Sequence, residues 1–267
     1  MSSTKCAIGS GLSLNIKQRT FHGSARGATD ATGTTLWPTA LPLLLHLQGL
    51  VPQMAMRDEL KPFRVLELGA GCGVLGQGLA ASCGCDVVLT ESGCALEGDD
   101  GGTSLSWLQM NINLNSEAFE QSGGRCRAAK LAWGDPEDIA NVRALEPEGF
   151  DLIVASDVLY DSQRYPELWS TFEAFAPANS PSLDGLGDEI EWTVETAAAS
   201  AVAIFGYQIR NGAERRFGND SEEFELVRDK LPQPPRDSDG SAGRRNPTGK
   251  SVAYVVRKGA AASTQPG

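Results

Sequence analysis

Short apolar runs alternate with amphipathic stretches along most of this chain. Runs typical of strands cover residues 63–68, 86–90, 128–131, 150–156, 199–207 and 251–256. Apolar positions recur with helical spacing over residues 36–50, 74–82, 105–114 and 165–175, and an acidic helix is expected over 222–230. Strands that alternate with helices predict an α/β fold, a doubly wound Rossmann-like sheet with ligands at the carboxyl ends of its strands.

The remaining segments predict an arm and several loops. Residues 12–21 alternate in polarity, which favours a strand or hairpin arm, and residues 23–33 predict a flexible loop suited to a lid. Surface loops are expected over residues 92–103, 180–188 and 232–246, the last exposed or disordered. We therefore divide the chain into an arm (1–35), one domain (36–260) and a tail (261–267).

The composition limits the possible partners. Net charge is −11 over 267 residues, which opposes attraction to nucleic acid and to anionic membranes but would attract a basic protein. No apolar run approaches membrane-spanning length. The six cysteines indicate free thiols, and two histidines offer little material for a metal site, so metal-independent chemistry is expected. We expect a monomer in the cytoplasm, with the nucleus as a second compartment.

The most informative segment is Glu67-Leu68-Gly69-Ala70-Gly71-Cys72-Gly73, where an apolar run breaks into alternating glycines before a helix. Glycine lets a ligand approach the backbone, and a helix start offers unpaired N–H groups. Glu91 follows the next strand about twenty residues later, where an acid can accept hydrogen bonds from ribose. No lysine of the Walker type follows the glycines, which leaves a dinucleotide or S-adenosylmethionine. The acid Glu67 before the first glycine favours S-adenosylmethionine.

Several motifs then occur in a characteristic order. They are Leu36-Trp37-Pro38-Thr39-Ala40, residues 65–73, Leu89-Thr90-Glu91, residues 111–115, Leu131-Ala132-Trp133-Gly134 and residues 155–160. Together they resemble the seven-β-strand protein lysine methyltransferases, specifically the methyltransferase-like 21 group, over residues 12–229 and the last strand. The resemblance implies a class I methyltransferase fold with a seven-stranded sheet, and S-adenosylmethionine as the cofactor.

The resemblance also implies roles for individual residues. Gly69, Ala70 and Gly71 would pass beneath the methionine moiety, and Glu91 would hold the ribose, although most relatives have Asp there. Glu67 and Gly73 complete the cofactor motif, Trp133 would pack on the adenine, Ala155 and Ser156 would line the pocket, and Trp37 would form a wall at the methyl-transfer end. Core packing remains the alternative for both tryptophans.

The family pairs catalysis with an Asp/Glu-x-x-Phe/Tyr motif, matched here by Asp157 and Tyr160. Asp157 would orient the substrate ammonium and Tyr160 would contact the amine or its stem, whereas a helix N-cap is the alternative role for Asp157. Asn111, Asn113 and Asn115 could end a helix and contact the sheet, so we assign no site to them. The expected activity is methyl transfer to a protein lysine; a small molecule, a protein histidine or a non-catalytic binding module are the alternatives.

Overall fold

A computed structural model gives the fold, and it describes residues 2–9, 11–19, 32–55, 61–96, 102–176, 201–208, 224–230 and 251–258. Nine strands lie in this described part: β1 Ser2–Gly9, β2 Leu12–Gln18, β3 Arg64–Glu67, β4 Asp86–Glu91, β5 Arg125–Lys130, β6 Leu152–Ser156, β7 Ala201–Gln208, β8 Phe224–Lys230 and β9 Ser251–Lys258. The α-helices are α1 Ala40–Ala55, α2 Val74–Cys83, α3 Ser104–Asn113, α4 Ser116–Ser122, α5 Pro136–Leu145 and α6 Tyr165–Phe175. Short 3-10 turns cover Thr32–Thr34 and Ser162–Arg164.

Seven of these strands form one sheet in the order β5-β4-β3-β6-β7-β9-β8. The pairs from β5 to β7 are parallel, and β9 runs antiparallel to both β7 and β8. The strand order reverses beside β3, between β4 and β6, and such a reversal opens a crevice at the carboxyl ends of the strands. The predicted doubly wound, seven-stranded α/β fold is confirmed.

Two apolar cores cover the faces of the sheet. Helices α1 to α4 pack on one face, where Leu44, Leu75 and Trp107 are fully buried. The separate hairpin of β1 and β2 packs against helices α1, α2 and α3 and joins the same core. Helices α5 and α6 pack on the other face around Phe172 and Phe205, whose ring centroids lie 6.1 Å apart. Within the described residues, no helix is both long and apolar enough to cross a membrane.

Some predicted elements differ from the structure. Helix α1 begins at Ala40 rather than at residue 36 and continues to Ala55, through Pro52. Helices α4 and α5 were not predicted, although Asp135 followed by Pro136 is a helix-start signal, and the Asp135 carboxylate does accept two backbone N–H groups of α5. The helix predicted over residues 222–230 is wrong: residues 224–230 form strand β8, because pairing with β9 overrides a weak local preference.

Other predicted segments lie wholly or partly outside the described residues. The loops expected at residues 180–188 and 232–246 and the tail at 261–267 are not described, and only the end of the expected lid is. Its described end is the turn Thr32–Thr34. The arm expected from residue 12 is confirmed as the hairpin of β1 and β2.

Candidate functional site

A cavity of about 340 Å³ opens at the crevice beside β3. The turn of residues 69–73 and the ends of β4 and β6 form its floor. Residues 32–37 form its cover, and we keep these two names for these segments. Ten of the twelve predicted site residues line the cavity: Trp37, Gly69, Ala70, Gly71, Gly73, Glu91, Trp133, Ser156, Asp157 and Tyr160. The other two, Glu67 and Ala155, are fully buried behind its wall.

Backbone hydrogen bonds fix the floor to its neighbouring strands. Ala70 donates its N–H to the Thr90 carbonyl at 2.9 Å, and Leu68 donates to Val154 at 2.9 Å, so the turn is held from both sides. Gly69 has φ +63°, and a side chain there would meet the ring of Trp133 at 3.2 Å. Gly71 has φ +57°, a left-handed conformation that favours glycine. The glycines therefore let the chain turn sharply and bring its backbone against the cavity.

Glu67 supports the floor from below. Its side chain points towards α2, where Oε2 accepts the Gly76 N–H at 2.9 Å. The other oxygen, Oε1, is buried with no hydrogen-bond partner among the described residues. Burial raises the pKa of Glu67 to about 8, because desolvation penalises the charged form more than the Gly76 N–H stabilises it. This acid thus braces the start of α2 and does not line the cavity.

Glu91, at the end of β4, faces the cavity and also braces the floor. Its Oε1 accepts the Gly71 N–H at 2.7 Å. The carboxylate further accepts hydrogen bonds from Ser104 and from the Ser92 backbone, yet burial still raises its pKa. Ser104 was not identified from the sequence.

One wall of the cavity is aromatic. Trp133 lies beyond the end of β5, and its ring edge packs close to Gly69. The guanidinium carbon of Arg164 lies 5.7 Å from the Trp133 ring centroid, within the range of a cation–π contact. Arg164 also lines the cavity and was not predicted. This wall presents a flat ring, held in place from two sides, to anything in the cavity.

The cover lies directly over the floor. A side chain at Gly71 would meet the Gly33 carbonyl oxygen at 3.6 Å, so the two backbones are close. Trp37 donates its indole N–H to the Thr32 carbonyl at 3.0 Å, which folds the cover onto itself. Thr32 also forms a side-chain hydrogen bond with Tyr160 on the far side of the cavity. The cover therefore spans the cavity from the glycine turn to Tyr160.

Asp157 joins the floor to helix α1. Its Oδ2 accepts the Thr39 N–H and its Oδ1 accepts the Thr39 hydroxyl, both at 2.9 Å. Asp157 is buried, has φ +55°, and donates its own N–H to the Gly206 carbonyl. Asp is among the residues that tolerate this left-handed conformation. A carboxylate at the start of α1 also complements the positive end of the helix.

This arrangement changes the picture of both residues in the Asp157/Tyr160 motif. Asp157 faces the cavity but caps a helix other than the one that follows it, through Thr39, a residue that the sequence reasoning did not single out. A threonine before an apolar helix is an N-cap signal that could have indicated it. Tyr160 is 50% exposed at the cavity mouth, and partial burial raises the pKa of its phenol, so its hydroxyl stays protonated at neutral pH.

Comparison with known proteins agrees with this geometry. A sequence model of a protein family described as lysine methyltransferase matches residues 14–183, which is more than half of the chain. The chain belongs to this family. The resemblance expected from the ordered motifs is therefore confirmed, and the matched residues include every element of the cavity described above.

Curated members of the family are related at moderate identity. The Danio rerio protein N-lysine methyltransferase METTL21A is 32% identical over 149 residues, covering 55% of this chain and 57% of that protein. The Mus musculus EEF1A lysine methyltransferase 3 is 29% identical, covering 54% of this chain and 51% of that protein. The Saccharomyces cerevisiae protein-lysine N-methyltransferase EFM3 is 31% identical, covering 53% and 39%. The chain spans about half the length of the curated relatives it matches, or less.

Proposed function

We propose that this lysine methyltransferase family member transfers a methyl group from S-adenosylmethionine to a lysine side chain of a protein substrate. The supporting observation is one cavity that combines the glycine turn, Glu91 and Trp133 with Asp157 and Tyr160. The first three suit a nucleoside cofactor. The last two match the Asp/Glu-x-x-Phe/Tyr motif, which the resemblance assigns to the acceptor side.

The residues of the cavity fit the cofactor. A volume of about 340 Å³ is in the range of small-molecule sites. The glycine backbone suits the methionine moiety, Trp133 offers a ring face to adenine, and the Glu91 carboxylate, which lines the cavity, suits a ribose hydroxyl. When bound, S-adenosylmethionine supplies a methyl group activated by its sulfonium, so the protein mainly has to align an uncharged amine with it.

The proposed acceptor side reaches the protein surface, as a polypeptide substrate requires. Tyr160 is half-exposed at the mouth, where its ring can contact the stem or ammonium of an incoming lysine. Asp157 supplies a negative charge in the cavity wall that favours a cationic side chain, and Thr39 fixes the direction of this carboxylate. The net charge of −11 would attract a basic substrate surface.

Two measurements test the proposal. Isothermal calorimetry should show binding of S-adenosylmethionine and of its demethylated product, and no binding of NAD. Incubation with methyl-labelled cofactor and cell extract, followed by mass spectrometry, should place the label on lysine. Label only on histidine, on a carboxylate or on a metabolite would overturn the acceptor assignment and keep the cofactor assignment. The monomeric state and the cytoplasmic and nuclear location stay predictions.

A further inference from the structure

Strand β2 has one edge that no other strand covers among the described residues. It pairs antiparallel with β1, and in such a pair successive residues direct their N–H and C=O groups to opposite edges. Asn15, Lys17 and Arg19 direct theirs away from β1. An uncovered edge of this kind usually needs other partners for its backbone groups.

Two asparagine side chains of the α3–α4 region cover this edge. Asn111 accepts the Lys17 N–H at 2.8 Å and donates to the Lys17 carbonyl at 3.1 Å. Asn115, one helical turn later, accepts the Asn15 N–H at 2.8 Å and donates to the Asn15 carbonyl at 3.1 Å. A side-chain amide carries both a donor and an acceptor, so each asparagine replaces one residue of a neighbouring strand.

The contact is buried and reinforced. Asn111 is fully buried and Asn115 nearly so. Asn115 also donates to Gln77 Oε1 at 2.9 Å, and the indole N–H of Trp107 donates to the Lys17 carbonyl at 3.2 Å. The guanidinium of Arg19 lies over the Trp107 ring, 5.2 Å from its centroid. Losing a partner of a buried polar group is costly, so this register is strongly preferred.

The next residue along the same edge leads to the cavity. Arg19 donates its N–H to the Thr34 carbonyl at 2.8 Å, and its carbonyl accepts the Thr35 hydroxyl at 3.2 Å. Thr34 and Thr35 belong to the cover. The asparagines thus fix β2, and β2 fixes the cover above the glycine turn.

We propose that Asn111 and Asn115 are positioning residues of the cofactor site: by binding the free edge of β2, they hold the cover over the floor and so determine cofactor affinity. The proposal rests on the proposed function, in which this cavity binds S-adenosylmethionine. The two residues touch no ligand, and their effect passes through Lys17, Arg19 and Thr34. Asn113 lies on the same helix but is exposed and bonds only to Gln109 among the contacts described, which makes it a matched control.

The test compares Asn111→Ala with Asn113→Ala. Asn111→Ala should raise the Kd for S-adenosylhomocysteine about tenfold, the loss expected from two hydrogen bonds, and should leave kcat at saturating cofactor within about twofold. Hydrogen exchange at the Lys17 and Arg19 amides should become faster. Asn113→Ala should change neither quantity. A merely structural role would lower thermal stability without changing cofactor affinity in the folded protein.

Trp107→Phe is the second test variant, used if Asn111→Ala fails to fold. The change to Phe removes a single hydrogen bond to Lys17 and keeps an aromatic ring. It should raise the Kd about threefold and accelerate the same amides. Unchanged Kd with faster exchange, or unchanged exchange, would overturn the proposal. If the wild-type protein binds no S-adenosylhomocysteine at all, the proposed function fails and this proposal with it, whereas a defect confined to Asn111→Ala supports both.

Discussion

The floor and the cover enclose the same cavity but are built in different ways. The glycine turn of the floor is one contiguous segment between a buried strand and a buried helix, and its glycines follow directly after the buried acid Glu67. The cover is a short segment with a single 3-10 turn. Its backbone is held by Arg19 and, through β2, by two asparagines that lie 94 and 100 residues from their partners in β2. The floor is therefore set by local sequence, and the cover by contacts that only the fold creates.

The different construction of floor and cover predicts how substitutions in each affect cofactor binding. Substitution in the floor acts directly on the space for the ligand and on buried polar groups, so its effect should be large. Substitution in the cover removes one of several hydrogen bonds at the cavity edge, so its effect should be graded. Asp157 and Thr39, which join the floor to helix α1 just after the cover, should give effects between these limits.

Gly71→Arg should give the largest effect. The left-handed backbone at Gly71 strains any side chain, and a long one would occupy the narrow space beneath Gly33. We expect cofactor binding to fall below detection by calorimetry. Gly49→Arg is the control, because Gly49 is exposed on α1 and a side chain there meets nothing within 4 Å. Normal binding by folded Gly71→Arg would show that the floor has been assigned incorrectly.

The sequence was sufficient to predict the floor for a physical reason. A parallel strand buried on both faces, a turn of alternating glycines and an apolar helix leave a signal within about twenty residues, and Glu91 follows at the end of the next strand. What the pattern does not give is the direction of a side chain. The glycine motif assigns Glu67 to the cofactor, whereas the two-residue period of β3 turns its side chain towards α2, under the floor.

The sequence does not predict the cover or the residues that hold it, because their contacts are distant in sequence. The sequence alone makes helix termination at least as consistent with Asn111 and Asn115 as ligand binding, since nothing local shows that β2 lies beside them. Thr39 escaped because helix α1 was expected to start at residue 36, which hid its N-cap position. Local strand and helix propensities likewise do not predict that β8 pairs with β9.

Glu67, the buried acid beneath the floor, should make folding stability depend on pH. Folded Glu67, with a pKa raised to about 8, keeps a proton that the unfolded chain releases near its ordinary pKa of about 4.3. Its contribution to stability is therefore complete below that value and is lost as pH rises towards 8, by at most about 1.4 kcal/mol per pH unit. Glu67→Gln keeps an acceptor for Gly76 and should flatten this decline in urea unfolding between pH 5 and 8.

Urea unfolding of Glu67→Gln has to be compared with the contribution of Glu91 and with a control at an exposed glutamate. The raised pKa of Glu91 contributes a decline in the same direction, so Glu67→Gln should reduce the slope and not abolish it. Glu117→Gln, at an exposed glutamate in the first turn of α4, should leave the profile as in the wild type. An unchanged slope in Glu67→Gln would mean that Glu67 is ionised beneath the floor.

Asp157→Asn tests the contact between the floor and helix α1. Asparagine tolerates the left-handed backbone but removes the charge and one acceptor for Thr39. Losing a charge-assisted hydrogen bond is worth about 1.5 to 3 kcal/mol, so methyl transfer should fall roughly ten- to a hundredfold. Cofactor affinity measured by calorimetry should stay within a few-fold. A fully active variant would remove Asp157 from the mechanism.

Thr39→Val distinguishes two roles of Asp157: positioning helix α1 through Thr39, or contacting the acceptor amine directly. It removes the hydroxyl donor and keeps the Thr39 N–H, so a positioning role predicts a smaller loss of methyl transfer of roughly two- to tenfold. Wild-type activity in this variant, together with a defect in Asp157→Asn, would assign the carboxylate directly to the acceptor. Asp135→Ala, which removes a cap from α5 with two backbone donors, controls for general loss of helix capping.

Trp37→Phe should give the smallest effect and measures the cover alone. The substitution keeps an aromatic ring at the cavity wall and removes the indole N–H that bonds the Thr32 carbonyl at 3.0 Å. One neutral hydrogen bond contributes about 0.5 to 1.5 kcal/mol, so the Kd for S-adenosylhomocysteine should rise roughly two- to tenfold. Trp169→Phe is the matched control, since its indole bonds Glu173 on the exposed side of α6. If Trp37→Phe lost cofactor binding as completely as Gly71→Arg, cover and floor would form one rigid unit. If Trp37→Phe and Trp169→Phe bound S-adenosylhomocysteine equally well, the fold of the cover would not determine cofactor binding.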